Sequence, residues 1–364
     1  MSFIVNELNL EKKILPKPEE DRTGWPWDIS TSLSRCDKNV CWPKISIVTP
    51  SFNQGKFIEE TIRSVVAQNY PNLEYIIIDG GSTDETVDII KKYEPWISYW
   101  ISEPDNGQSH AINKGLDRCT GDIFNWLNSD DWYMSNSLFE VATQFINNPS
   151  VKVVSGFENH LFEDGTTELC KGTFLEDTLE ATIEWCQIAQ PSTFFRMNIL
   201  KEIAPIPEDM HYIMDGEIWV RFLLMYGQKY FLKISQPLVN FRLHEGSKTV
   251  SNAVENNFLY ERSSIITDLQ RFVGLPTEVI NFWSHHVYKT PKLLNLNRKW
   301  EVNENIISKR KLRIYFLRKY VNHHFHHRNI EKAKWGTKQL LLNIAFDYFM
   351  FKSLIKIGIR AISE

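Results

Sequence analysis

Between residues 44 and 127, short apolar runs alternate with longer stretches whose apolar positions recur near helical spacing. The run Ile45-Ser-Ile-Val-Thr49 reads as a buried strand that stops at Pro50-Ser-Phe-Asn-Gln-Gly55. Residues 56–68, with Phe57, Ile58, Ile62, Val65 and Val66, predict a helix. After the turn Tyr70-Pro-Asn72, residues 73–78 predict a second strand ending on Asp79. Residues 84–93 predict the next helix, 98–101 a third strand, 110–118 a helix and 123–127 a fourth strand. Such alternation means right-handed βαβ units and a parallel sheet. Ligands bind outside the carboxyl ends of such strands. The polar loops 49–54, 79–84 and 128–131 are therefore expected to converge on one crevice.

Beyond residue 148 the alternation loosens. Strands are expected at 151–156, 192–196, 230–234 and 239–244, and helices at 197–203 and 216–226. From residue 256 the pattern is helical, at 259–272, 278–288, 309–324 and 331–359. Ahead of the sheet, residues 1–43 are charged and then rich in Pro and Trp (Leu15-Pro-Lys-Pro18, Gly24-Trp-Pro-Trp27), which suits an irregular arm with its tryptophans docked on the body. The expected organisation is an arm (1–43), an α/β domain (44–254) and a helical C-terminal region (255–364).

Composition changes this picture little. With 364 residues, 43% hydrophobic and 13% aromatic, the chain can bury a large core and is not disordered. The net charge of −4 hides an asymmetry: from Lys309 onward thirteen Lys/Arg face three Asp/Glu. A basic tail on an acidic body suggests an anionic surface as its partner. Five cysteines (Cys36, Cys41, Cys119, Cys170, Cys186) are odd in number and lack zinc-site spacing, so reduced thiols of a cytosolic protein are expected. Residues 1–13 lack the features of a signal peptide, and the longest apolar span, 340–351, is too short to cross a bilayer and holds Asn343 and Asp347. These features fit a cytoplasmic protein.

The chemistry is densest in Gly121-Asp-Ile-Phe-Asn-Trp-Leu-Asn-Ser-Asp-Asp-Trp-Tyr133, where an apolar run ends on Asp130 and Asp131. Two carboxylates roughly 4 Å apart repel by about 1 kcal/mol in water and about 4 kcal/mol near a protein surface. A cation or a ring of donors relieves that repulsion; a polar turn ahead of a helix is the structural alternative. In Asp79-Gly-Gly-Ser-Thr-Asp-Glu85, Ser82 and Glu85 have the spacing of a capping box, while Asp79 at the strand tip can accept from a ribose or base. The loop is neither a Rossmann glycine fingerprint nor a Walker loop. The turn Asp105-Asn-Gly107 precedes Gln108, His110, Asn113 and Lys114, donors that suit a diphosphate at a helix N-terminus. Asp215 and Glu217 open a helix, where acids are dipole partners or, facing a crevice, a general base. His244 ends a strand, and with Asp130 and a diphosphate it would complete a site for Mg²⁺ or Mn²⁺, the imidazole favouring Mn²⁺. His323-His-Phe-His-His327 predicts a surface that gains charge below about pH 6.5.

In order, Ser46-Ile-Val-Thr-Pro-Ser-Phe-Asn53, Ile78-Asp-Gly-Gly-Ser-Thr-Asp84, Asn128-Ser-Asp-Asp131, Asp215-Gly-Glu-Ile-Trp219 and Arg242-Leu-His244 resemble the motifs of family 2 glycosyltransferases, across residues 44–249. The Gly24-Trp-Pro-Trp arm and Gln108-Ser-His-Ala-Ile-Asn113 resemble a bacterial subgroup. The resemblance implies the GT-A fold, a Rossmann-like mixed α/β sheet with helices on both faces, and inverting transfer from a nucleotide-sugar. By position, Pro50, Ser51, Phe52 and Asp79 would hold the nucleotide, and Gln108, Asn113 and Lys114 would lie toward the phosphates. Asn128 would approach the ribose, Asp131 would join it on the nucleotide side or orient the turn, Asp130 and His244 would hold the metal, and Asp215 would be the base. Three departures stand out: Gly80 where many relatives have Asp, Asn128 where Asp is common, and Gly216-Glu217 after the base.

The resemblance further implies a uridine donor, as the commonest in the family, and a glycan or lipid-linked acceptor in cell-surface polysaccharide synthesis. Two other readings stay open: a binding scaffold that kept the crevice without turnover, and a sugar-phosphate nucleotidyltransferase, which would want a glycine-rich loop with a basic residue after the first strand. For the tail, residues 309–319 alternate basic residues with Leu312, Ile314, Tyr315, Phe316 and Leu317, and 340–359 is apolar with Lys352 and Lys356. That suits helices lying on an anionic membrane near a lipid-linked acceptor; a helical subdomain or a homodimer contact is the alternative. Nucleic acid is not expected, since no motif for it accompanies the charge.

Overall fold

In the computed structural model, which describes residues 15–37, 39–250, 252–287 and 293–343, the run after Lys44 forms β1 (Ile45–Ser51), buried along its whole length. There follow α1 (Gly55–Val66), β2 (Leu73–Asp79), α2 (Thr86–Tyr93), β3 (Tyr99–Ser102), α3 (Gln108–Arg118) and β4 (Ile123–Trp126). Each lies within two residues of its expected bounds, the ordinary uncertainty of an element end. Then come β5 (Trp132–Tyr133), α4 (Ser137–Asn147), β6 (Val153–Phe162), β7 (Thr167–Cys170), α5 (Leu179–Trp185), β8 (Thr193–Arg196), α6 (Met197–Ile203), α7 (Met214–Tyr226) and β9 (Phe231–Leu243). The chain ends, as far as it is described, in α8 (Asn252–Phe272), α9 (Thr277–Phe282), α10 (Lys309–His326) and α11 (Ile330–Asn343).

The strands form one mixed sheet in the order β3-β2-β1-β4-β8-β6-β9-β5, with β7 paired to β6. The four βα strands are parallel; β8 runs antiparallel to β4 and reverses the sheet. Strand β9 is continuous where two strands were expected. Its pairing with β6 slips around Pro237, which has no N–H to give to a ladder. Ile45, Ile47, Ile58, Ile62, Val65, Tyr75 and Ile77 pack into the core that holds this sheet together, each fully buried aliphatic contributing about 1.5–3 kcal/mol.

The Pro/Trp-rich arm docks on the sheet-bearing unit. Trp25 Nε1 donates to the Tyr133 carbonyl at 2.8 Å. The buried Arg63 guanidinium gathers the carbonyls of Pro16, Pro26 and Trp27. At the amino end of the sheet, Glu74 accepts from Lys44 Nζ (2.7 Å), Ser46 Oγ (2.5 Å) and Thr120 N–H (2.7 Å). Burial pushes its carboxyl up, but these donors prevail and bring it down to about 2. A folded-state value below the unfolded one gives stability that is present at neutral pH and lost as pH falls through about 4.5 toward 2. Glu74→Gln is expected to cost about 1.5–3 kcal/mol in urea unfolding at pH 7, and the gap from wild type should close in acid.

The described residues divide into two compact units, one drawn from positions 15–174, 187–218 and 228–250, the other from 175–186, 219–227 and 252–343. Helix α7 thus starts in the first and ends in the second. In the second unit, Asp268 pins an irregular stretch by accepting from the N–H groups of Asn297 and Arg298 and from Trp300 Nε1.

Helix α10 does not offer the lipid-facing stripe its sequence suggests. Leu312, Phe316 and Leu317 are buried within the unit. Lys311 pairs with Glu180 (3.2 Å) and Lys319 with Glu184 (2.6 Å). Residues 344–359 of the expected last helix lie outside the described residues. No helix among the described residues is long and apolar enough to cross a membrane.

The histidine cluster is only in part the exposed surface expected: His326 and His327 are exposed, but His324 is not. His324 is buried against Tyr320 and Phe282. Burial, then the neighbouring His323 and Lys332, push its imidazole down to about 4. A folded value below the unfolded one means that stability present above about pH 6.5 is lost as pH falls toward 4. Melting curves at pH 7 and pH 4.5 should show this loss, and His324→Gln should lose less over the same interval.

Candidate active site

The loops after β1 and β2 are laced together, as strand order required. Gly80 N–H donates to the Ser51 carbonyl (2.8 Å), Asn53 N–H to Ser82 Oγ (2.7 Å) and Thr83 N–H to Asn53 Oδ1 (2.9 Å). Ser82 is therefore spent on this lacing and on Asp79, and no capping box forms; Asp84 reaches the Gly55 and Thr86 N–H groups instead. Asp79 is fully buried, and its carboxylate accepts from Gly81 N–H, Ser82 N–H, Ser82 Oγ and Ser102 Oγ at 2.5–3.1 Å. It shapes the loop with three donors on Oδ2 and one on Oδ1. Gly80 faces Asp105: a Cβ there would lie 2.9 Å from Asp105 Oδ2. A carboxylate from the next loop thus fills the space beside this glycine.

Asp130 and His244, distant in sequence, meet at the carboxyl ends of β4 and β9. His244 Nε2 lies 3.1 Å from Asp130 Oδ2. The imidazole packs on Phe57 (4.6 Å between centroids), and its Nδ1 accepts from Gly246 N–H at 3.2 Å. The proton then sits on Nε2 and is donated to Asp130. Arg242 braces the pair from behind. Its Nε donates to the Asp130 carbonyl (3.0 Å), a terminal nitrogen pairs with Glu60 (2.6 Å), and the guanidinium lies over the Phe57 and Trp132 rings.

Asp131 turns inward. Buried beside Thr61, it accepts from Arg242 N–H (3.0 Å) and Asn128 Nδ2 (3.3 Å), so it orients the turn and does not reach the crevice for a nucleotide. Burial first, then the charge of Asp130, hold its carboxyl well above the usual range, against the pull of these two donors. A directed hydrogen-bond chain ends on it. Lys248 Nζ donates to Gln108 Oε1 (2.7 Å), Gln108 Nε2 to Asn128 Oδ1 (2.7 Å), and Asn128 Nδ2 to Asp131 Oδ2. An ammonium at one end and an acid at the other fix the orientation of both amides.

The remaining expected residues divide. Pro50 and Ser51 are buried at the tip of β1, while Phe52 is exposed. Asn113 is taken by another task, clasping the Ile206 backbone through both amide atoms and Glu208 at 2.9 Å. Lys114 pairs with Glu103 at 2.7 Å. Neither points its polar atoms at the Asp130–His244 pair. Asp215 is half-buried in the first turn of α7 and accepts from Gly216 N–H at 2.8 Å. Four residues earlier, the His211 carbonyl accepts from Lys248, which ties the approach to α7 to the amide chain.

Sequence reasoning missed the parts played by Glu60, Arg242 and Lys248. The signal for Arg242 and Lys248 was their closeness to His244, but their partners are far away in the chain. Two buried hydroxyls in this region, Ser51 Oγ and Ser109 Oγ, have no hydrogen-bond partner among the described residues. Ser109 stands in the first turn of α3, a helix with no side-chain cap. Buried donors without partners cost about 1–3 kcal/mol each.

A model of glycosyl transferase family 2 matches residues 46–205. An uncharacterized glycosyltransferase of Rickettsia typhi is 30% identical over 225 residues, covering 58% of this chain and 68% of the relative. An uncharacterized glycosyltransferase of Rickettsia prowazekii is 29% identical over 239 residues, covering 62% and 71%. Among solved structures, S. aureus TarS 1-349 in complex with UDP superposes with a TM-score of 0.50 at 17% identity, covering 84% of this chain and 93% of that one. That likeness is one of fold.

Proposed function

The chain belongs to glycosyl transferase family 2, and from that premise we propose that it moves a sugar from a nucleotide-sugar to an acceptor hydroxyl with the help of a divalent cation. The carrying observation is the 3.1 Å between Asp130 Oδ2 and His244 Nε2. Neighbouring ligands on an octahedral ion with bonds of about 2.1 Å stand about 3 Å apart, so the pair fits Mg²⁺ or Mn²⁺. When bound, the cation would take up the negative charge that builds on the diphosphate as the sugar leaves.

If His244 Nε2 held the cation, the ring proton would have to lie on Nδ1, toward which Gly246 N–H points. The turn at 244–247 is thus the part of the site that has to open. Lys248, Gln108 and Asn128 hold the donor side, with Ser51 and Ser109 offering their buried hydroxyls. The peptide N–H groups at the start of α3 suit an anion. Asp215 takes the proton of the acceptor hydroxyl as its oxygen bonds to the sugar and the nucleoside diphosphate departs. A base on the face opposite the leaving group gives inversion, and no covalent intermediate is needed. Asp105 stands in for the acid that Gly80 lacks.

S. aureus TarS binds UDP, which supports trying uridine donors first. The acceptor we propose is a glycan or lipid-linked sugar in polysaccharide assembly. A thermal-shift panel of nucleotide-sugars with Mn²⁺ tests the reading. One donor class is expected to raise the melting temperature in a manner abolished by chelator, and no response to any donor would contradict it.

A further inference from the structure

The geometry points to a second metal site, suited to Zn²⁺, on the β6–β7 hairpin, with Glu158, His160 and Cys170 as ligands. Glu158 and His160 are two residues apart on β6 and so share a face of the strand. Cys170 is the direct antiparallel partner of Glu158 across the hairpin, which brings its sulfur to that same face. The ligand atoms all lie within 4.8 Å of one another.

The spacing favours a cation over an ion pair. His160 Nε2 lies 3.5 Å from Glu158 Oε2. That is longer than the roughly 2.7–2.9 Å of a charge-assisted hydrogen bond, and close to the roughly 3.4 Å edge of a tetrahedron around zinc with bonds of about 2.1 Å. The other carboxylate oxygen, Oε1, accepts from Ser192 Oγ at 3.0 Å, which turns Oε2 toward the imidazole. The ring itself is steadied by Phe241, 5.3 Å away. Outer partners of this kind fix ligand orientation in known metal sites. Glu158 is buried, whereas His160 and Cys170 are half-exposed and Cys170 is a free thiol, so an ion can enter.

Thiolate, imidazole and carboxylate together select zinc over the hard Mg²⁺ and Mn²⁺ that suit Asp130 and His244. Three protein ligands leave a fourth position for water, and binding releases the thiol proton. Spacing among cysteines could not reveal the site, because it uses one cysteine and depends on hairpin register. It also has a mechanical route to the crevice. At the hairpin tip, Glu163 accepts from Glu245 N–H (2.9 Å), next to His244, so a metal that stiffens the hairpin would steady the turn that must open.

Titration of the full-length metal-free protein with Co²⁺ tests the site, since only thiolate ligation gives sulfur-to-cobalt absorption in the near ultraviolet. Wild type and Asp130→Ala should both develop the band at the intensity of one thiolate-bound cobalt per chain, whatever cobalt the Asp130–His244 pair also takes up, and Zn²⁺ should remove it. Cys170→Ser should lose the band, His160→Ala should weaken binding roughly tenfold or more, and Cys41→Ser should keep it. Circular dichroism of each metal-free variant verifies folding. Absence of the band in wild type, or its persistence in Cys170→Ser, would overturn the assignment. This outcome is independent of sugar transfer, which Asp130→Ala should impair while leaving the cobalt signal intact.

Discussion

Asp215→Asn is expected to lower turnover at least about 10²-fold while leaving donor affinity nearly unchanged. The asparagine keeps the shape of the side chain and can still accept from Gly216 N–H, as Asp215 does at 2.8 Å. What it loses is the ability to take a proton. The donor side of the site stands on other residues, so its affinity has no reason to move. Lys248 joins the two halves by donating both to the His211 carbonyl and to Gln108. Rates with a saturating donor and calorimetric affinities for the nucleoside diphosphate separate the two effects. Wild-type turnover in this variant would remove Asp215 as the base.

Asp130→Ala is expected to lower turnover by about 10²–10³, on the scale of losing one preorganised charge-stabilising group, and to abolish the response to Mn²⁺. Its effect on stability should run the other way. Asp130 is, after burial, the main influence raising the Asp131 carboxyl. Removing that charge eases ionisation of the buried Asp131, so the melting temperature at neutral pH should hold or rise. An inactive variant that melts like wild type is then a defect in chemistry. A large fall in stability would instead mean that the 3.1 Å contact with His244 is chiefly structural.

The half of the sheet built from βα units was legible because each strand is a short apolar run and each helix has its own periodicity. The converging loops followed from strand direction alone. The second half was harder. Two-residue β5 sits inside a polar stretch, and its pairing with β9 joins Trp132 to Asn240 across the chain. Pro237 looked like a break between strands, yet the backbone absorbs it as a slip in register. The pairing of Asp130 with His244, 114 positions apart, was legible because both stand at strand ends and because the ordered motifs name both. Asn113 looked like a ligand because donors crowd the start of α3, but the segment at Ile206 claims both of its amide atoms. The basic stripe of α10 misled for a related reason: Glu180 and Glu184, which pair with Lys311 and Lys319, come from a distant helix.

The most direct test of the central claim is calorimetric titration of UDP into wild type and Asp130→Ala, each with Mn²⁺ and with EDTA. A cation held by Asp130 and His244 predicts binding to wild type that weakens when metal is removed, and binding to Asp130→Ala that is weak in both conditions. Equal UDP affinity in wild type with and without metal, unchanged by Asp130→Ala, would contradict it.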